Sequence, residues 1–276
     1  MKVLRNAVAL LAVAVAACSG GGSDLPTRVL LATTTTVEDS GLLEALIAGF
    51  EAAHPDHALQ VGVSGSGQAL ELGRLGDVDV LLTHSPLDER VFMEEGYGTV
   101  RREVMESDFV LLRPPADPAD VGTTRDVRAA FRKVAAAGAP FVSRGDDSGT
   151  HRAEQTIWHD ADVTPGGDWY IVSGVGMADA LRIASEREAY VLSDLPTFLA
   201  QGSTIDLEVA VEGDDLLLNP YAVIGVRRAV NARGAQAFID WITGPDGQTL
   251  IGGYGASGTG GTGESLFRPL APAVPD

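Results

Sequence analysis

RVLLATTTTVEDSGLLEALIAGF, residues 28–50, packs a strand, a polar turn and a helix into one short segment. Val29-Leu30-Leu31-Ala32 is an apolar run bounded by polar residues, the pattern of a strand buried within a parallel sheet. Four threonines, Thr33 to Thr36, follow it. Beyond them Leu42, Leu43, Leu46, Ile47 and Phe50 recur at the helical period, and His54-Pro55-Asp56 ends the helix. The same unit returns along the chain. A strand near 58–63 runs into Ser64-Gly65-Ser66-Gly67 and a helix near 67–75, with Val78–Leu82 as the next strand. Phe141-Val142 runs into Ser143-Arg144-Gly145-Asp146-Asp147-Ser148-Gly149-Thr150 and a helix carrying Ile157 and Trp158. Trp169–Val172 runs into Ser173-Gly174-Val175-Gly176 and a helix near 177–187, followed by a strand at 189–192. Phe109–Leu112, Leu216–Leu218 and Tyr221–Ile224 are further apolar strand signals. Repeated strand–loop–helix units predict an α/β fold with a mostly parallel sheet.

The chain has 276 residues, 45% of them hydrophobic and 21% charged. That supplies one large or two smaller cores and excludes a disordered chain. Against 20 Lys+Arg stand 38 Asp+Glu, a formal charge of −18. So acidic a chain is not built for nucleic acid, nor for docking on anionic lipid through charge.

Residues 1–17 read as a secretory signal. Lys2 and Arg5 precede an apolar run, Ala7 to Ala17, too short to span a bilayer. Val15-Ala16-Ala17-Cys18 sets the one cysteine directly after a small-residue cleavage site. This resembles the lipobox of bacterial lipoproteins, where that cysteine is acylated. Residues 18–26 then form a flexible tether, outside the cytoplasmic membrane. Without residues 1–17 the 20 basic residues fall to 18 against 38 acidic ones, a formal −20.

Four strands thus end in Ser/Thr/Gly turns that open helices. A helix start carries unpaired N–H groups and the positive end of the helix dipole, so hydroxyls and glycines there suit an oxyanion. In open α/β sheets such turns gather at the carboxyl ends of the strands. Plain capping is the simpler account of any single turn, and Thr35 with Glu38 fits a capping box. Four turns, one with an embedded arginine, point to a common anion pocket. Arg144 can fork onto an oxyanion or pair with Asp146 or Asp147.

Enzyme signatures are lacking. Asp147-Ser148-Gly149 resembles an aspartic-protease turn without a second copy. Gly65-Ser66-Gly67 and Gly174-Val175-Gly176 miss the third glycine of a dinucleotide fingerprint. The five histidines show no metal spacing.

The chain is similar to the substrate-binding lipoproteins of tungstate ABC importers, the TupA-type tungstate-binding proteins. The matching segments are ATTTTVEDSGLL (32–43), VGVSGSGQALELGRLGDVDVLLTH (61–84), SDFVLL (107–112), SRGDDSGTH (143–151), SGVGMADAL (173–181) and LNPYAVIGV (218–226). The resemblance implies a two-lobed, type II periplasmic-binding-protein-like fold. Each lobe would be a mostly parallel sheet flanked by helices. One lobe would hold 27–110 plus 216–276 and the other 111–215, with Phe109–Leu112 and Leu216–Leu218 in the crossover strands. It implies contacts to the anion from Thr34, Thr35, Thr36, Ser64, Ser66, Gly67, Arg144, Ser148, Gly149, Thr150 and Gly176. It implies tungstate as transported ligand, no cofactor, no catalysis, no resident metal, and a permease partner. It further implies a monomer anchored to the membrane through Cys18. Thr36 stands where the family often has Ser, and Val175 where it often has Met, so fine selectivity stays open. The alternatives are a molybdate or phosphate binder of the same fold, and a lipoprotein hydrolase built on Asp147, Ser148 and His151. An Asp146 facing the ligand would suit protonated phosphate; an Asp146 tied to Arg144 or a backbone N–H would suit tungstate or molybdate.

Overall fold

The computed structural model describes residues 25–255 and 265–270; residues 1–17, read above as a secretory signal, and Cys18 lie outside them. From the amino end come β1 (Thr27–Thr34), α1 (Thr35–Asp39), α2 (Leu42–Ala53), β2 (His57–Ser64), α3 (Ser66–Leu75), β3 (Val80–Thr83) and α4 (Pro86–Glu94). The long β4 (Gly98–Arg113) leads to α5 (Val127–Ala137), β5 (Phe141–Ser143), α6 (Gly149–Asp160), β6 (Tyr170–Val172) and α7 (Met177–Glu186). Then come β7 (Tyr190–Asp194), α8 (Leu195–Gln201), β8 (Glu208–Val211), β9 (Leu218–Val226), α9 (Ala232–Thr243), α10 (Pro245–Gly253) and β10 (Arg268–Pro269).

The strands line up as β2-β1-β3-β9-β4-β7-β5-β6, with β8 and β10 also paired to β4. Every strand that feeds a polar turn runs parallel to its neighbours: β1 with β2 and β3, β5 with β6 and β7. The register sets Thr34 opposite Ser64 and Ser143 opposite Val172, so adjacent strands deliver their turns to one edge. The central strands are antiparallel. β9 pairs antiparallel with β3 and β4, and β4 with β7 and β8.

β4 joins two halves of the molecule. Its residues 98–108 pair with β9 in one half; 109–113 pair with β7 and β8 in the other. Each half has its own core. Leu46, Phe50, Tyr221, Phe238 and Ile239 are buried in the first, and Phe131, Phe141, Trp158 and Tyr190 in the second. In the second, Phe131 and Trp158 ring centroids lie 4.3 Å apart. Burying each such side chain stabilises the fold by about 1.5–3 kcal/mol.

The helix after the threonines differs from expectation. Gly41 adopts φ 78°, a left-handed conformation that suits glycine, and splits it into α1 and α2. The turn lets α1 lie across the strand ends while α2 packs on the core. Asp39, at the end of α1, is part-buried, which raises its pKa against the pull of the Ala178 backbone and Arg144. α1 therefore reaches α7 of the opposite half.

Candidate anion-binding site

The four turns meet where the two halves face each other. Across the gap, a Cβ on Gly65 would lie 3.3 Å from Ser148 Cα, and one on Gly67 would lie 2.9 Å from the Asp147 carbonyl. A Cβ on Gly176 would lie 3.9 Å from Thr35 Cγ2. Glycine at the first two positions permits a backbone approach that a side chain would block.

Three of the four helix starts, at Thr34, Gly65 and Gly176, have no side-chain cap. The Thr35–Glu38 capping box is not formed. Thr34 holds the cap position and its hydroxyl meets Thr36 Oγ1 at 2.9 Å instead. Thr35 opens the helix and accepts from Arg144 Nη2 at 3.4 Å. Only α6 is capped among the four, by Ser148 Oγ accepting from the His151 N–H. Capping therefore does not account for the hydroxyls of the first turn, and the start of α3 and α7 keeps its N–H groups for another acceptor.

Arg144 is buried, only 2% exposed. Nε and Nη2 both donate to Asp146 Oδ2, at 3.2 and 2.6 Å. Asp146 Oδ1 accepts from the Ser148 N–H at 3.2 Å. Burial alone would raise the Asp146 pKa; the Arg144 charge and the Ser148 bonds outweigh it and hold the carboxyl below its ordinary value. The carboxylate thus fixes the guanidinium and the turn, and both of its oxygens are occupied. Asp147 is exposed and pairs with Arg152 at 3.4 Å. Thr150 Oγ1 is buried and has no hydrogen-bond partner among the described residues, a state that costs free energy until an acceptor or donor meets it. Ser64, half-buried, turns its hydroxyl to the Gly65 carbonyl at 3.3 Å.

A buried polar network missed by the sequence reading lies behind these turns. His84 Nε2 is 3.2 Å from Thr36 Oγ1, and its Nδ1 is 2.8 Å from Asn219 Oδ1. Asn219 Nδ2 donates to Ser107 Oγ and to the Tyr221 hydroxyl, each at 3.1 Å. Tyr221 OH reaches Thr36 Oγ1 at 3.4 Å. The signal was present in position: His84 follows a strand of the parallel set, at the same edge as the turns.

The residues proposed for a hydrolase do not form one. His151 Nδ1 accepts from the Asp147 N–H at 3.1 Å and Nε2 faces Gln155 Nε2 at 3.1 Å. Ser148 Oγ caps α6 and its hydroxyl bonds to Asp146, while both ring nitrogens of His151 are engaged elsewhere, so Asp147, Ser148 and His151 do not form a triad. A separate cavity of about 620 Å³ on the second half, lined by Trp158, Tyr170 and His159, shares only Gly145 with the turns.

The fold agrees with three comparisons. Residues 21–246 match the family model of the PBP superfamily domain. The chain is 39% identical to the tungstate-binding protein TupA of Peptoclostridium acidaminophilum, over 96% of each chain. It is 44% identical to a putative ABC transporter anion-binding protein of Haloferax volcanii, over 92% of this chain and 74% of that one. A crystal structure of the tungstate ABC transporter from Geobacter sulfurreducens superposes with a TM-score of 0.75 at 40% identity, covering 82% of this chain and 98% of that one.

Proposed function

Because the chain belongs to the PBP superfamily and, within it, to the TupA family of tungstate-binding proteins, we propose that its four converging turns capture tungstate for delivery to an ABC importer. It is a solute-binding protein of the extracytoplasmic kind and not an enzyme. The observation that carries the ligand assignment is the state of Asp146. A tetrahedral oxyanion that keeps a proton, such as hydrogen phosphate, needs an acceptor in its site. The carboxylate embedded in the turn, Asp146, spends both oxygens on Arg144 and Ser148. What remains is a set of donors: uncapped helix N–H groups, hydroxyls and the guanidinium. Such a set suits a fully deprotonated dianion.

In this account Arg144, Ser148, Gly149, Thr150 and Gly176 bind from a lobe of residues 111–215. Thr34, Thr35, Thr36, Ser64, Ser66 and Gly67 bind from a lobe of 27–110 plus 216–276. Each bond from an N–H or O–H to a charged oxygen contributes roughly 1.5–3 kcal/mol, so several give tight binding. The lobes close over the anion about β4 and the chain leading into β9. We further propose that residues 1–17 are removed, that Cys18 is acylated, and that the protein acts as a monomer on that leash. The place of Cys18 directly after Val15-Ala16-Ala17 supports the anchor.

Thermal shift against tungstate, molybdate, sulfate, phosphate and chromate tests the assignment. Tungstate is expected to raise the midpoint most and phosphate to leave it unmoved. A shift by phosphate equal to that by tungstate overturns it.

A further inference from the structure

We propose that His84 is the positioning residue of the anion site: its imidazole couples Asn219 on β9 to the Thr36 hydroxyl and so sets the donors of the first turn. This rests on the tungstate assignment and deepens it.

His84 is 2% exposed and touches three of the four turns. Its ring meets Thr36. Its backbone N–H donates to Ser66 Oγ at 3.4 Å, which leaves the Ser66 proton to donate elsewhere. Its carbonyl and ring pack against the first residue of α6: a Cβ on Gly149 would lie 2.5 Å from His84 O and 2.8 Å from Cε1. The ring also stacks on Tyr221, with centroids 4.7 Å apart and planes at 15°.

Protons follow from the partners. The Asn219 amide nitrogen is occupied by Ser107 and Tyr221, so Oδ1 accepts, and His84 Nδ1 carries the hydrogen. Nε2 is then bare and accepts from Thr36 Oγ1. Burial lowers the His84 pKa to about 4; the Asn219 bond and Asp146 oppose this while the Arg144 charge adds to it. The ring therefore stays neutral near pH 7. With its own proton turned inward, Thr36 takes the Thr34 hydroxyl as a donor. Thr34 is then the rotor: when an anion arrives, its proton swings from a neutral oxygen to a charged one, the stronger bond. Thr36 serves as the fixed seat for that rotor rather than as an anion donor through its hydroxyl.

The test combines calorimetry with tungstate and nitrogen-15 NMR of the histidine rings. His84→Ala and Thr36→Val are each expected to weaken tungstate about tenfold, the scale of one such bond. The double variant should be no weaker than either single, and Thr36→Ser should keep the affinity. In the unmutated protein the His84 ring should show a hydrogen on Nδ1 and none on Nε2 at neutral pH, a readout that needs no variant to fold. Independent losses in the double variant, unchanged affinity in His84→Ala, or a hydrogen on Nε2 overturn the proposal. Arg144→Ala runs alongside. If it too leaves tungstate binding intact, the site assignment itself fails; if it abolishes binding while His84→Ala does not, only the role of His84 fails.

Discussion

In the proposed site Arg144 holds a carboxylate and serves an anion at once, which only its shape allows. Nε and Nη2 grip Asp146, Nη2 also reaches Thr35, and Nη1 has no partner among the described residues. A lysine is a point charge on a flexible stem and cannot span these positions together. Arg144→Lys should weaken tungstate binding at least tenfold by calorimetry, although the charge is kept. An unchanged affinity would mean that charge alone suffices. At this scale the sequence singled out residues of the turns but not what they bond to. Pairing of Arg144 with an aspartate and forking onto an oxyanion were competing accounts of one residue; the side chain does the first and remains placed for the second. His84 and Asn219 lie 135 positions apart, and nothing local in the sequence reports that their side chains meet.

The elements that present the site were legible wherever burial made a contiguous apolar run. β1, β3, β5 and their helices were read on that signal. β4 was not: only Phe109–Leu112 stood out of a strand of 16 residues. Its first part carries Arg101, Arg102, Glu103, Glu106 and Asp108, which looks like a solvated loop. Those charges are paired, Arg101 with the buried Glu89 and Arg268 at the surface with Glu106 and Asp108, while Val104 and Met105 go inward. Bulges near Val100 and Met105 break the alternation as well. The antiparallel run of β9 escaped for a related reason, because direction is set by pairing and not by composition. The α6 start makes the sharpest demand at this scale. Its first residue, Gly149, rests on a backbone carbonyl that has no room to yield. Gly149→Ala should preserve the circular dichroism spectrum yet weaken tungstate binding more than tenfold and leave the tungstate-bound radius of gyration larger by small-angle scattering. A variant that closes normally would show that α6 does not approach β3 so tightly.

For the molecule as a whole, a formal −20 without residues 1–17 means that bulk charge repels the proposed dianion. Salt screens that field beyond about 8–10 Å, so in the proposed site attraction is the work of Arg144 and the helix starts. Stability carries its own pH signature from buried acids. Burial raises Glu154, bonded to Tyr170 and Trp158, from 4.5 to about 7, and Asp194 from 3.8 to about 6. Each folded carboxyl holds its proton to higher pH than the unfolded chain does. Its contribution is therefore full below the unfolded value and is lost as pH rises through the folded one. His84, lowered by burial from 6.5 to about 4, works in the opposite sense over that range. Burial raises Glu89 and Asp39 as well and lowers His151 in the same sense as His84; the raised acids outnumber the lowered histidines, so the thermal midpoint should rise from pH 8 to pH 5.5. Glu154→Gln should raise the midpoint at pH 8 more than at pH 5.5 and flatten the profile. A midpoint that falls steadily from pH 8 to pH 5.5 would contradict the buried-acid account.

A crystal of the tungstate complex, measured for anomalous scattering at the tungsten absorption edge, asks the central question directly. The account predicts one strong anomalous peak between the halves, within hydrogen-bond reach of the Arg144 guanidinium and the N–H groups that open α3 and α6. A peak elsewhere, or tungstate-saturated protein with no peak among the four turns, would contradict it.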